Sequence, residues 1–278
     1  FDINEIMLTK IERGHEDFDV VCPSEYIIER MMRKDMLLPI NRNFGDTPDY
    51  IHNLAPYIQD ELNKMCMDER KVTDYAVAYM WGTAGVLYNK ALVSEEEAIA
   101  CRSLWDPKFA NKILMKDSYR DCYGLAIIYA NAERLQKGEV TVEQLMNDNS
   151  AEAIATAEEY LKKMKPNIAG WEADFGKEMM TKGKAWMNFT WSGDAVWSIE
   201  EADAVGVELD YVVPQEGSNV WFDGWVIPKY ARNVKAASYF INYVCRPDIA
   251  LRHMDATGYV SAVATPEILE AKIDSTLE

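Results

Sequence analysis

Short apolar runs alternate along the chain with stretches whose apolar side chains recur at helical spacing. Residues 18–22 form an apolar run that stops at Pro23, which predicts a buried strand. Residues 27–36 place apolar side chains on one helical face, so a helix is expected to follow that strand. Residues 113–115 predict a second strand, followed by a helix over 119–134. Strands and helices that alternate in this way are typical of an α/β protein.

Capping residues mark where further helices begin. Ser94 precedes three glutamates, so a capping hydroxyl is followed by acids in the positively polarised first turn. Pro247 and Pro266 also mark starts, because proline suits the first helical position. The remaining predicted elements are helices over residues 151–164 and 234–244 and strands over residues 185–190, 207–214 and 225–227. Without a repeat or a glycine-rich linker, this pattern favours a two-lobed body with several chain crossings over two domains in tandem.

The composition allows a large core and makes some partners improbable. The chain has 278 residues, of which 49% are hydrophobic, enough for one large domain or two of ordinary size. Its formal net charge is −17, which repels phosphate backbones and anionic lipid. We therefore expect no nucleic-acid partner. The same field favours the approach of a cation.

Known catalytic and metal-binding patterns are missing from the sequence. The five cysteines and three histidines are scattered without metal-ligand spacing, and no nucleophile elbow, phosphate loop or dinucleotide fingerprint occurs. We therefore predict a protein that is not an enzyme and uses neither a metal ion nor another cofactor. No run approaches the roughly 18 apolar residues of a membrane helix. Because the chain starts at Phe1 without a leader, we expect a processed or truncated product.

Two short clusters combine a tryptophan with an aspartate. Trp191 and Asp194 lie in one cluster, and Trp221 and Asp223 lie in the other. An aromatic face attracts a cation through its quadrupole, and a carboxylate attracts it through full charge. A slender ligand with apolar methylenes and positive ends would need both groups. The alternative is that the rings belong to the core and the acids lie in solvated turns.

Polar side chains also follow two predicted strands, where open α/β sheets place ligand contacts. Ser24 and Tyr26 come directly after the first strand, and Ser118 and Asp121 come after the strand over residues 113–115. The alternative is structural: Ser24 would cap one helix, Asp117 or Ser118 would cap the next, and Asp121 would lie in its first turn. The sequence leaves both interpretations open.

Several segments, taken in order, resemble the spermidine/putrescine-binding proteins of bacterial ABC importers. These segments are FDVVCPSEY at 18–26, AYMWGT at 78–83, SLWDP at 103–107, WSGD at 191–194, WFDG at 221–224, RPD at 246–248 and GY at 258–259. Each segment is short, but together they span nearly the whole chain. The resemblance implies a two-lobed, periplasmic-binding-protein-like α/β fold with a ligand cleft between the lobes. Lobe one would comprise residues 1–84 and 221–266, and lobe two would comprise residues 85–220 and 267–278.

The resemblance also implies which side chains bind the ligand. They are Ser24, Tyr26, Ser118, Asp121, Trp191, Asp194, Trp221, Asp223 and Tyr259. The two tryptophans would cover the methylenes of a polyamine, Tyr259 would add an aromatic wall, and the aspartates would bind the amines. Asp194 matches an acid of putrescine-preferring members. Ser118 stands where spermidine-binding members have an acid, which favours a diamine.

By this resemblance, the protein captures putrescine or spermidine and delivers it to the permease of an ABC importer. It would act as a monomer outside the cytoplasm, either in the periplasm or anchored at the cell surface. Two other functions remain open. Tryptophan platforms and paired acids also occur in glycosidases, and a protein of the same fold could carry another small cationic solute.

Overall fold

The computed structural model describes residues 3–14, 17–65 and 70–275, with side chains described up to residue 270. His15 and Cys66 lie outside the described residues. The chain divides into two compact units. The first comprises the chain up to Trp81 and from Trp221 onward, and the second spans Gly82–Val220.

Helices and strands alternate along the chain, as the hydrophobic pattern predicts. The helices are α1 Asn4–Glu12, α2 Glu25–Arg33, α3 Pro56–Lys64, α4 Glu95–Ala98, α5 Tyr119–Ala130, α6 Ala132–Gln136, α7 Val142–Met146, α8 Ala151–Met164, α9 Gly176–Thr181, α10 Ser192–Asp203, α11 Val234–Val244, α12 Pro247–Thr257 and α13 Pro266–Ser275. The strands are β1 Leu37–Leu38, β2 Ala76–Asn89, β3 Ile113–Lys116, β4 Ile168–Glu172, β5 Met187–Trp191, β6 Leu209–Val212, β7 Val220–Pro228 and β8 Val260–Ser261.

The first unit is built around β7 and the first half of β2. Strand β1 pairs antiparallel with the end of β7, and β8 pairs antiparallel with β2 at Met80 and Trp81. Helix α2 buries one apolar face in this unit's core, where Ile28 and Met31 are fully enclosed. This packing holds the start of α2 next to β7, and both elements carry predicted site residues.

The predicted strand over residues 18–22 is not formed as a strand. Val21 makes a single antiparallel bridge to Val226, and a second bridge joins Ser24 to Asp223. Pro23 lies between the two bridges and has no N–H to donate, so the ladder is interrupted there. The segment nevertheless runs along β7, because Pro23 accepts a hydrogen bond from the Gly224 amide.

The second unit contains a mixed sheet. Strand β3 is parallel to both β4 and β5, and the second half of β2 is antiparallel to β5 and β6. Helices α5 and α8 pack against each other, and Phe189 and Met115 are buried in this unit's core. The order β3, then α5, brings polar residues to the carboxyl end of a parallel strand, where such sheets place their sites.

The C-terminal helix differs from its expected assignment. The resemblance placed residues 267–278 in lobe two, whereas α13 packs against α12 of the first unit. The reason is hydrophobic: Ile268 is 3% exposed and belongs to the first unit's core. The unit boundary also falls at Trp81/Gly82 rather than after residue 84.

Candidate functional site

In the first unit, Ser24 is directed at Asp223. The Ser24 hydroxyl donates a hydrogen bond of 2.6 Å to Oδ1 of Asp223. Asn4 supports this arrangement, because its Nδ2 donates to the Ser24 hydroxyl at 2.9 Å and its Oδ1 accepts from the Ser24 amide at 3.2 Å. Ser24 occupies the position before α2 but makes no side-chain capping bond. Its single hydroxyl proton is therefore committed to the carboxylate rather than the helix.

The Asp223 carboxyl group is desolvated without a compensating cation. Burial raises the pKa of Asp223 from its ordinary 3.8 to about 6, and the hydrogen bond from Ser24 opposes that rise. Among the described residues, no lysine, arginine or histidine forms an ion pair with this carboxylate. The residue as a whole is half-buried.

An aromatic side chain lies on the same face of β7 as this carboxylate. Trp221 precedes Asp223 by two residues on β7, so both side chains lie on the same face of the strand. The ring of Tyr259 meets the Trp221 ring edge-on, with 5.3 Å between ring centroids. Tyr26 lies at the start of α2, and its hydroxyl donates to Oε1 of Glu5 at 3.0 Å. The first unit thus combines a carboxylate, a hydroxyl and two packed rings.

In the second unit, Asp121 is buried in the first turn of α5 and is 5% exposed. Its Oδ2 accepts from Nε1 of Trp191 and its Oδ1 accepts from Nδ2 of Asn219, both at 2.9 Å. Both donors are neutral. No cation in the described part of the chain forms an ion pair with Asp121. The hydroxyl of Ser118 accepts from the Asp121 amide at 3.4 Å, so Ser118 does cap this helix.

Asp194 has a different environment, because two lysines lie near its carboxylate. Lys116 Nζ is 2.7 Å from Asp194 Oδ2, and Lys177 Nζ is 3.8 Å from Oδ1. Lys116 also lies 3.2 Å from Oε1 of Glu172 and is 1% exposed. The negative charge of Asp194 is therefore compensated within the unit.

The structure places several of the predicted residues near one another in each unit, and we call each group a cluster. In the first unit, Ser24 bonds to Asp223 and Trp221 contacts Tyr259; in the second, Asp121 bonds to Trp191. Sequence reasoning missed Lys116, although it directly follows the predicted strand over residues 113–115. It also missed the amide partners, which are Asn4 and Asn219. A lone asparagine in a turn or helix start carries no signal that separates it from a solvated residue.

Within residues 3–14, 17–65 and 70–275, no group of three or more His, Cys, Asp or Glu side chains is arranged to hold a metal ion. In the same ranges, no helix is both long enough and apolar enough to span a bilayer.

Residues 2–273 match the family described as bacterial extracellular solute-binding protein. This chain belongs to that family. It is 27% identical over 274 residues to the spermidine/putrescine-binding periplasmic protein of Salmonella typhimurium, covering 98% of this chain and 70% of that protein. It is also 27% identical over 277 residues to a putrescine-binding periplasmic protein of Escherichia coli, covering 96% and 71%.

Solved structures agree with these sequence relatives. The spermidine/putrescine ABC transporter substrate-binding protein of Streptococcus pneumoniae is similar with a TM-score of 0.69 and 30% identity. That similarity covers 95% of this chain and 73% of the other. The resemblance drawn from the ordered sequence segments and the predicted α/β fold of periplasmic binding proteins are both confirmed.

Proposed function

We propose that this protein captures a linear polyamine, such as putrescine or spermidine, outside the cytoplasm and delivers it to the permease of an ABC importer. One observation carries the proposal. Each unit holds an aspartate, Asp223 or Asp121, that has lost much of its water and belongs to a cluster containing an indole ring. In the part of the chain that the structure describes, each of these carboxylates accepts hydrogen bonds only from neutral side chains.

Carboxylates in such an environment are suited to bind a cation. Burying an ionised group costs free energy unless an opposite charge or hydrogen bonds replace its hydration. Neutral donors replace part of that hydration at Asp121 and Asp223, but they supply no positive charge. A protonated amine of a ligand would supply it. A polyamine carries such groups on an apolar chain, and both clusters offer aromatic surface for that chain.

The clusters offer enough free energy for a useful affinity. A hydrogen bond to a charged group contributes roughly 1.5–3 kcal/mol. A desolvated cation–π contact contributes up to about 2 kcal/mol. A few of each, less the cost of ordering the ligand, reach the roughly 8 kcal/mol of a micromolar site.

We further infer that the protein acts as a monomer and makes or breaks no bond in its ligand. The family to which it belongs binds solutes. The ligand-binding role of the predicted set is retained for Ser24, Asp223, Trp221 and Tyr259 in the first unit and for Asp121 and Trp191 in the second. Ser118 accepts a hydrogen bond from the Asp121 amide, and Tyr26, two residues after Ser24, donates to Glu5.

Isothermal titration calorimetry tests the proposal. We expect putrescine or spermidine to bind with micromolar affinity, and the uncharged diol with the same carbon chain as putrescine to give no binding heat. Absence of heat from both polyamines at millimolar concentration would refute polyamine binding. Binding of the diol as tightly as the diamine would refute the role of the carboxylates. Release of reducing sugar from a glycoside panel would instead favour the glycosidase alternative.

The residue roles are tested separately in each unit. Asp223→Asn and Asp121→Asn should each weaken polyamine binding by about tenfold or more, because each removes a charged acceptor. Asp60→Asn is the matched control, since Asp60 is exposed on α3 and the charge change is the same. Equal affinities for all of these variants and the unaltered protein would contradict the assigned roles.

A further inference from the structure

Lys116 is a buried cation inside the second unit. It is the last residue of β3 and is 1% exposed. Its Nζ lies 2.7 Å from Asp194 Oδ2 and 3.2 Å from Glu172 Oε1, and it donates to the carbonyl oxygen of Ala173 at 2.8 Å. Three oxygen atoms from two segments, residues 172–173 and the first turn of α10, therefore hold one ammonium group in a fixed place.

The same ammonium lies against the ring of Trp191. Lys116 Nζ is 4.4 Å from the centroid of that ring, within the distance of a cation–π contact. The edge of the ring is held by the bond from its Nε1 to Asp121. Lys116 and Asp121 thus restrain the indole at a face and at an edge, which fixes its orientation.

The three carboxylates near Lys116 and Trp191 differ in how far nearby cations compensate their charge. Asp194 has Lys116 at 2.7 Å and Lys177 at 3.8 Å. Glu172 shares Lys116 and also accepts from the Gly176 amide at 3.0 Å and from Nδ2 of Asn188 at 3.1 Å. Asp121 receives hydrogen bonds only from the neutral side chains of Trp191 and Asn219, apart from any residue outside the described ranges.

We propose, on the basis of the polyamine binding proposed above, that Lys116 is a positioning residue that orients Trp191 and neutralises Asp194, so that Asp121 and not Asp194 receives an amine of the ligand. This assignment departs from the role that the family resemblance implies for Asp194. It also predicts which part of the ligand meets the indole. A second cation near a ring that already contacts Lys116 is repelled, so a methylene segment is favoured there.

Comparison of two aspartate variants tests the assignment. Asp121→Asn should weaken putrescine binding by about tenfold or more, because it removes the uncompensated charge. Asp194→Asn should leave the affinity within about threefold, while the melting temperature falls because Lys116 loses a charged partner. A folded Asp194→Asn variant that binds as weakly as the folded Asp121→Asn variant would overturn the proposal.

A second comparison tests Lys116 itself. In the double variant Lys116→Met, Glu172→Gln, the methionine carries no charge, so Asp194 loses its nearest cation. The glutamine avoids leaving Glu172 as a second buried anion and keeps an oxygen for the Gly176 amide. We expect the affinity ratio of spermidine to putrescine to rise about tenfold, since Asp194 can then receive a further amine.

Lys177→Met is the matched control, because it removes the second lysine near Asp194 while Lys116 stays in place. Its affinity ratio should stay within about twofold of the unaltered protein. An unchanged ratio in the folded double variant would overturn the role of Lys116. If the double variant does not fold, the comparison of Asp121→Asn with Asp194→Asn tests the proposal. Failure of the unaltered protein to bind either polyamine would instead refute the proposed function.

Discussion

Replacing Asp223 with asparagine should stabilise the ligand-free protein while it weakens polyamine binding. Burial raises the pKa of this carboxyl group from 3.8 to about 6. One pKa unit corresponds to about 1.36 kcal/mol. A rise of about two pKa units therefore means that the ionised group costs the folded state about 3 kcal/mol at neutral pH. Asparagine carries no charge and still offers an oxygen to the Ser24 hydroxyl, so the variant avoids most of that cost.

The size of this stabilisation depends on pH, and it changes within a defined window. Because the pKa is raised on folding, the folded state holds the Asp223 proton more tightly than the unfolded state does. The stabilising contribution of the protonated group is present below pH 3.8 and is lost as the pH rises to about 6. The difference in unfolding free energy between Asp223→Asn and the unaltered protein should therefore be small near pH 4 and approach about 3 kcal/mol above pH 7.

Urea denaturation at a series of pH values measures this difference directly. Asp60→Asn serves as the control, because Asp60 is exposed and its replacement changes the net charge equally. The control should show no comparable rise with pH. The reasoning is refuted if Asp223→Asn is less stable than the unaltered protein at neutral pH, or if its advantage does not grow between pH 4 and 7.

Three further variants have distinct expected outcomes. Ser24→Ala removes the hydrogen bond that lowers the pKa of Asp223, so that pKa should rise further. As the pH is lowered, calorimetry should then show polyamine binding being lost at a higher pH than in the unaltered protein, and an unchanged pH profile would contradict this. Trp191→Phe keeps an aromatic ring but loses the N–H bond to Asp121, and should weaken polyamine binding by about tenfold; full affinity would argue against the contact. Gly85→Ala should lower the free energy of unfolding, measured in urea, by about 1–3 kcal/mol. The added Cβ would lie 2.6 Å from the carbonyl oxygen of Val212 on β6. An unchanged free energy of unfolding would mean that β6 can shift.

Local patterns predicted many elements correctly. The helix that begins after Ser94 has a complete capping box with Glu97, and α12 begins at Pro247 as expected. Helix α8 has the predicted limits, Ala151–Met164. These features depend on interactions within a few residues of the chain, which is why a sequence without a structure is sufficient to find them.

Two strands show where local patterns fail. The strand β2 covers Ala76–Asn89, but most of its residues are buried on both faces, so it lacks the alternation of a half-exposed strand. It also contains two glycines, which weaken a strand signal. The predicted strand over residues 18–22 makes only a single bridge, between Val21 and Val226. Pro23 follows it and has no N–H with which to continue the ladder.

The sequence by itself determined the fold class, the family and the residue types that could bind a cation. Only the tertiary structure decided how these charges are compensated. Ser24 meets Asp223 across 199 residues, and Lys116 meets Asp194 across 78. Electrostatic interactions depend on distance in space, so the compensation of a carboxylate's charge depends on which distant segments of the chain pack beside it. For that reason Asp194 and Asp223, which looked equivalent in sequence, differ in the structure: one is paired with a lysine, and the other has no described counter-ion.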